Sequence, residues 1–153
     1  MIYPLATYAP PAHKDMPPEV KGLYDEAGQI AMLSPRAAAA LLRAAIDKLC
    51  VHVGCNLDQK LDEKITEVIA QAGLPKEYSD AMHILRLVGN SALHPSEINL
   101  DEALDTPELL FEFVNLIVDR LITFPRNASG FLKKVATPKQ LEHIEDLKKK
   151  TQQ

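Results

Sequence analysis

Aromatic residues are rare in this chain: they make up 5% of its 153 residues, and tryptophan is missing altogether. Folds that read single-stranded nucleic acid by base stacking depend on exposed aromatic rings, so the composition argues against a broad stacking platform. A positive net charge is missing too, because the formal net charge at pH 7 is −4. A protein dedicated to specific duplex DNA usually carries a basic footprint, so we do not expect duplex DNA as a partner.

Cysteine is also scarce, with only Cys50 and Cys55 in the chain. Two thiols in a chain long enough for a full core are typical of a reducing compartment rather than of a disulfide framework. Together with His52 they offer three metal ligands, whereas a closed zinc site needs four. We therefore predict no metal site and no cofactor, and we expect Cys50 to be a core residue.

Long apolar runs are missing as well. The most apolar segment, 109–124, contains Glu112, Asn115, Asp119 and Arg120, and it is too short and too charged to span a bilayer. The N-terminus has neither the basic n-region nor the continuous apolar run of a signal peptide. These features predict a cytoplasmic protein that does not associate with membranes.

Proline, by contrast, is abundant, and five prolines fall within the first 18 residues. Because proline removes a backbone donor and restricts the residue before it, this segment should be extended. Apolar side chains in the same segment provide a means of docking on a core. We therefore predict a packed N-terminal arm over residues 1–16, held by Ile2, Tyr3, Leu5 and Tyr8.

Helical periodicity and capping signals fill the rest of the chain. Ser34-Pro35 and Thr106-Pro107 each place a capping side chain before a proline in the first helical turn, whereas Gly54 and Pro125 are typical of helix ends. No alternating strand pattern and no internal repeat is found, so the sequence predicts an all-α bundle over residues 17–126 and a C-terminal helix with a Lys-rich tail over 127–153. The predicted helices cover 17–32, 35–52, 58–72, 76–93, 107–124 and 138–149.

The predicted helix over 107–124 is apolar on nearly all sides, as expected of a central helix. Its polar residues form one stripe, which consists of Glu108, Glu112, Asn115 and Asp119. Positive charge collects farther on, because residues 131–153 sum to +3 and the remainder of the chain to −7. That tail is interpreted either as a solvated terminal helix, the simpler reading, or as a phosphate-binding segment.

The predicted helix over 76–93 carries an unusual polar face. At roughly 100° per residue, Asn90 and His94 fall within about 20° of His83, and Arg86 lies about 60° away. Two imidazoles, a guanidinium and a carboxamide can bind anions or move protons. The structural alternative is a set of unrelated contacts, with His94 favoured at a helix C-terminus by the dipole and Arg86 paired with an acid.

A second polar stripe lies on the predicted helix over 35–52, where Arg36, Arg43 and Asp47 share one side. Arg43 and Asp47 are one turn apart and can pair directly. We take this stripe as a candidate binding surface together with His83, and a solvated salt bridge of about 0.3–0.5 kcal/mol is the alternative.

Three segments of the chain occur in an order that is typical of one family. They read Tyr-Asp-Glu-Ala at 24–27, Ser-Pro-Arg-Ala-Ala-Ala-Ala-Leu-Leu-Arg-Ala-Ala-Ile-Asp at 34–47 and Leu-Arg-Leu-Val-Gly-Asn-Ser-Ala-Leu-His at 85–94. These segments resemble the DUF4145 family, a widespread prokaryotic domain of unknown function that occurs alone or fused to type I restriction subunits and is grouped with the HEPN superfamily. The resemblance covers roughly residues 2–126.

The HEPN resemblance implies an up-and-down bundle of roughly four to five helices that forms a homodimer. In active members an Arg and a His at the dimer cleft cut RNA without metal. By this resemblance Arg86 stabilises the phosphate, Asn90 orients it and His94 acts as acid and base, which suits attack by a ribose 2′-OH.

The spacing in this chain leaves two interpretations open. Arg86 and His94 are separated by seven residues, more than in the usual motif, and an alternative alignment puts Gly89 at the Arg position. In the first interpretation the chain is an RNA-processing or defence-associated domain. In the second it is a non-catalytic helical interaction or dimerisation module that regulates a restriction, toxin or phage-encoded protein partner. Nucleotide binding by Arg36, Arg43 and Arg86 is a weaker third interpretation, because no Gly-rich phosphate loop is present.

Overall fold

The computed structural model describes residues 9–85, 87–88 and 107–152. Across these residues there are helices and no strands, which confirms the predicted all-α class. In chain order the elements are α1 Pro18–Ile30, α2 Pro35–His52, α3 Leu61–Gln71, α4 Lys76–Ile84, α5 Pro107–Val118, a π-helical segment Asp119–Thr123, α6 Phe124–Val135 and α7 Pro138–Thr151.

Helix α2 begins and ends where its capping signals predict. The Ser34 hydroxyl accepts a hydrogen bond from the Ala37 backbone N–H at 3.3 Å, which satisfies one of the unpaired donors of the first turn. Beyond the last turn, Gly54 adopts φ +117°, a conformation that residues with a side chain rarely adopt. This helix packs against α1, α3 and α5. Its apolar face is buried except for the half-buried Leu41, and the buried residues are Ala38, Leu42, Ala45, Ile46 and Leu49.

Helix α5 is buried around most of its circumference, as its composition predicts. Phe111 is fully buried and meets the ring of Tyr24 from α1 edge to face, with centroids 4.9 Å apart. Such pairs contribute about 0.5–1.5 kcal/mol beyond the area that they bury. Helices α1, α2 and α5 therefore share one core, whose other α5 members are Leu110, Phe113, Val114, Ile117 and Val118.

The prediction that Pro125 ends this helix is wrong. The chain continues through the π-helical segment into α6 without leaving helical torsion angles. In the π-helical segment the Phe124 N–H bonds the Asp119 carbonyl, five residues back. The wider turn accommodates the proline ring, which in a regular helix would clash with a carbonyl of the preceding turn. As a result, the predicted boundary between residues 126 and 127 falls inside α6.

Candidate functional site

The three candidate catalytic residues, Arg86, Asn90 and His94, lie outside the described residues, so their roles stay predictions. His83 is half-buried in the last turn of α4. That helix was predicted to continue to Leu93, and this boundary is wrong because α4 ends at Ile84.

The early end of α4 has a packing reason. Both Leu85 and Leu87 are buried, at 7% and 3% exposure, yet residues two apart on a helix lie about 200° from one another. The chain buries both by leaving the helix, and the Leu87 N–H then bonds the Met82 carbonyl at 2.9 Å. The described residues therefore give no continuous helical face from His83 onward.

On α2, the predicted binding stripe occupies the outer side of the helix. Arg36 is exposed, whereas Arg43 and Asp47 are half-buried. Asp47 receives a hydrogen bond from the ammonium group of Lys64 on α3, with Nζ and Oδ1 2.8 Å apart. The sequence did not predict this partner, and the pairing of Asp47 with Arg43 stays a prediction.

Lys64 is a buried cation, with 2% of its side chain exposed, while its partner Asp47 is 42% exposed. The ammonium group also donates to the Leu57 carbonyl at 3.2 Å. Burying a charge is costly unless it is paired and hydrogen-bonded, and here both conditions are met. The pair ties α3 and the loop before it to α2.

The two thiols lie beside this ion pair. Cys50 and Cys55 are both buried. Burial raises the pKa of Cys50 to about 12 and also raises the pKa of Cys55. At neutral pH both groups are therefore protonated thiols, which are poor nucleophiles and poor metal ligands.

A second polar network fastens the N-terminal arm to α1 and α5. Tyr24 donates its hydroxyl hydrogen to the Pro10 carbonyl at 2.5 Å. Asn115 donates to the Pro11 carbonyl at 3.2 Å and accepts the His13 N–H at 2.9 Å. The described part of the arm is therefore docked, both by these polar contacts and by apolar ones, because Met16 is a core residue with 6% exposure and Ala9 and Ala12 pack against the core. The apolar residues expected to hold it, Ile2, Tyr3, Leu5 and Tyr8, lie outside the described residues.

The same network continues along the π-helical segment into α6. Asp15 accepts a hydrogen bond from the Thr123 hydroxyl at 2.6 Å and a two-fold contact from the Arg126 guanidinium at 2.8 and 3.1 Å. The Thr123 hydrogen bond and then Arg126 lower the pKa of Asp15. Because the Asp15 N–H occupies His13 Nδ1, the hydrogen of the neutral ring lies on Nε2, 3.4 Å from Asp119. These groups hold the arm in place.

Helices α6 and α7, which we call the C-terminal helix pair, are different. Both lie wholly within the described residues, and neither contains a buried residue. Phe124, Phe131 and Val135 are 63%, 69% and 65% exposed. At roughly 100° per residue these three side chains fall within about 40° of one another on α6. The pair thus presents an apolar face that the described chain does not cover.

An apolar pocket of about 260 Å³ lies between α4 and α5. Tyr78, Met82 and Leu85 contribute from α4 and the residue after it, and Leu109, Phe113 and Leu116 from α5. Of the described residues that line it, Glu112 alone is charged. This pocket can take a small apolar group.

Sequence reasoning missed the arm network and the exposed helix pair for different reasons. Asn115, Asp119, Thr123 and Arg126 are spaced three or four residues apart, which is about one helical turn, so the polar stripe could have been extended past Pro125. The stripe was predicted to end at Asp119 because proline is typical of a helix end. Burial of Lys64 has no signal in the sequence, because its spacing suits a solvated face equally well.

By these features the protein is an all-α bundle with a docked N-terminal arm and a C-terminal helix pair outside its core. The chain matches the family described as Domain of unknown function (DUF4145) over residues 25–151, and it belongs to that family. The matched region begins within α1 and ends with α7, so it includes both the C-terminal helix pair and the segment with Arg86, Asn90 and His94. Neither a curated protein nor a solved structure matches the chain significantly. Within the described residues, no helix combines the length and the apolarity that a membrane crossing needs.

Proposed function

We propose that this chain is a helical interaction and dimerisation module that binds its partner through the C-terminal helix pair. The observation that carries the proposal is the exposed apolar face of α6, whose Phe131 is 69% exposed. Contiguous exposed apolar surface is typical of protein interaction sites. Helices of 12 and 14 residues are also only marginally stable in water without packing partners.

The test compares two substitutions on opposite sides of α6. Phe131→Glu places a charge in the apolar face, and Ser129→Glu, about 160° away around the helix, adds the same charge outside it. Each protein is used as bait in the source cells while its self-association is measured separately. We expect at least one of these interactions to be lost with Phe131→Glu and kept with Ser129→Glu. If all three proteins retain the same partners and the same oligomeric state, the proposal is wrong.

The second candidate function is metal-independent RNA cleavage by a HEPN-like, defence-associated domain. It rests on the resemblance of residues 85–94 to the HEPN motif, and these residues lie within the region that matches the family. In this proposal His94 transfers protons, Arg86 stabilises the charge on the phosphorane, and Asn90 orients the phosphate. A second copy of the chain supplies the other proton-transfer group across a cleft.

Labelled RNA in EDTA tests this candidate directly. The wild type and His143→Ala, a control at an exposed histidine of α7, should cleave the RNA, and His94→Ala should not. Equal activity in all three proteins, or none in the wild type, would eliminate the mechanism.

We also propose a reducing, cytoplasmic location, which the two free, neighbouring thiols support. Mass spectrometry of protein taken directly from the source cells should find Cys50 and Cys55 unmodified. A disulfide between them would contradict this location.

A further inference from the structure

The C-terminal helix pair and the rest of the molecule carry opposite charge. Residues 124–151 contain seven basic and three acidic side chains, a formal charge of +4, so the rest of the chain carries −8. Most of these basic residues are lysines at the ends of the two helices, at positions 133, 134, 139, 148, 149 and 150. Lys133 and Lys134 follow Phe131 on α6 itself, so positive charge lies next to the exposed apolar face, and the lysines of α7 extend that charge along the helix pair.

Negative charge collects on the outer face of α3. Lys64 is the only basic residue within α3, and it is turned into the core, where it pairs with Asp47. The outer face therefore presents Asp62, Glu63 and Glu67. Glu67 receives hydrogen bonds from two neutral amides, those of Gln59 and Gln71, at 3.2 and 3.1 Å, so these contacts leave its negative charge uncompensated.

This acidic face also holds a shallow, partly apolar groove. The groove has a volume of about 410 Å³ and is lined by the three carboxylates together with Gln59, Thr66, Ala70 and Val88. Its chemistry is the counterpart of the C-terminal helix pair, because one surface combines apolar atoms with negative charge and the other combines them with positive charge. Complementary potentials of this kind favour association and fix its register.

Charge decides between a second copy and a polyanion as the occupant. An RNA or an anionic lipid surface would attract the +4 helix pair, but it would be repelled by the −8 carried by the rest of the same molecule. A second copy presents the acidic groove itself. In a two-fold dimer the contact forms twice, since each copy supplies one helix pair and one groove.

We propose that the C-terminal helix pair of one copy packs into the acidic α3 groove of a second copy, reciprocally across a two-fold axis. This inference rests on the proposed interaction function and names its partner. The proposed function and this inference can be contradicted independently of each other. Retention of a different protein that depends on Phe131, in a chain that stays monomeric, would leave the proposed function standing and overturn the inference.

Sedimentation of the full-length chain over a range of concentrations is the first test. The wild type and Ser129→Glu should form dimers, whereas Phe131→Glu should weaken self-association by at least about tenfold. Phe131 is 69% exposed, so the thermal midpoint should not change when it is measured at a concentration below self-association, where dimerisation does not contribute to stability. A wild type that is monomeric at every concentration, or a Phe131→Glu protein that still dimerises, would overturn the proposal.

A charge exchange is the sharper test. Reversing the tail with Lys148→Glu, Lys149→Glu and Lys150→Glu should weaken the homodimer. Reversing the groove with Glu63→Lys, Thr66→Lys and Ala70→Lys, which takes its carboxylate charge of −3 to a net charge of +1, should weaken it too. Residues 63, 66 and 70 are exposed, so the fold should tolerate all three changes. Mixing the two variants should restore a heterodimer, because the reversed tail meets the reversed groove and the other contact is native.

The mixing experiment also separates the alternative occupants. Failure of the mixture to form a heterodimer would overturn the proposal. Binding of single-stranded RNA or of phosphatidylserine vesicles to a monomeric wild type, lost in the tail variant, would assign the helix pair to a polyanion instead. Added salt should weaken the wild-type dimer, because the attraction between exposed charges is screened.

Discussion

Helices α5 and α6 belong to one continuous stretch of helical backbone, yet α5 is mostly buried and α6 is exposed. Helix α5 packs against α2 and meets Tyr24 of α1, and seven of its twelve residues are buried. Helix α6 has the same length and an equally clear apolar face, but none of its residues is buried. An amphipathic sequence shows that a helix has an apolar face, but only the packing shows which part of the molecule covers that face, if any does.

The largest expected effect separates two phenylalanines on these helices. Phe111→Ala on α5 removes a fully buried ring and should lower the free energy of unfolding by about 3–5 kcal/mol. Phe131→Ala on α6 should change it by no more than about 0.5 kcal/mol in monomeric protein. Urea unfolding at a concentration below self-association measures both values, and similar losses would mean that α6 is packed after all.

The next effect compares the two partners of the buried ion pair. Asp47→Ala leaves the Lys64 ammonium buried without its counter-charge and should cost about 3 kcal/mol. Lys64→Met keeps an apolar side chain of similar length. It removes the hydrogen bonds to Asp47, which is 42% exposed and can be hydrated, and to the Leu57 carbonyl, which carries no net charge. We expect that second loss to be no more than about 1 kcal/mol. Equal losses in urea unfolding would contradict this asymmetry.

The smallest effect concerns pH. The pKa of Asp15 is lowered in the folded state, so its contribution to stability is fully present above the ordinary value of 3.8 and is lost as the pH falls through the lower, folded-state value. Asp15→Asn should therefore lower the thermal midpoint at neutral pH and have less effect in acid. The control is Asp146→Asn on the exposed helix α7, which should shift the midpoint at neither pH.

The fold could be predicted from the sequence wherever a helix end depends on local chemistry. Ser34, Pro35 and Gly54 mark α2 because a hydroxyl cap, a fixed φ and a positive φ are properties of single residues. Prediction failed where an end depends on tertiary packing. Pro125 is accommodated by a π-helical turn, and α4 ends early because Leu85 and Leu87 are both drawn into the core.

The candidate site shows the same division. Residue types and spacing were enough to single out Arg36, Arg43 and Asp47 on one side of α2. They could not indicate that Lys64 would turn inward to meet Asp47, because that depends on how α3 is placed on α2. The sequence does not reveal the acidic outer face of α3 either. A lysine among carboxylates indicates a face of mixed charge unless the lysine is known to be buried.

The clamp between Asp15 and Arg126 joins residues 111 positions apart in the chain. During synthesis Asp15 leaves the ribosome long before its partner exists, so the arm cannot complete this contact until the start of α6 has been made. Contacts between such distant positions are slow to form, because the intervening chain must first be ordered. The direction in which the last part of the polypeptide leaves the bundle is therefore among the final things that folding settles.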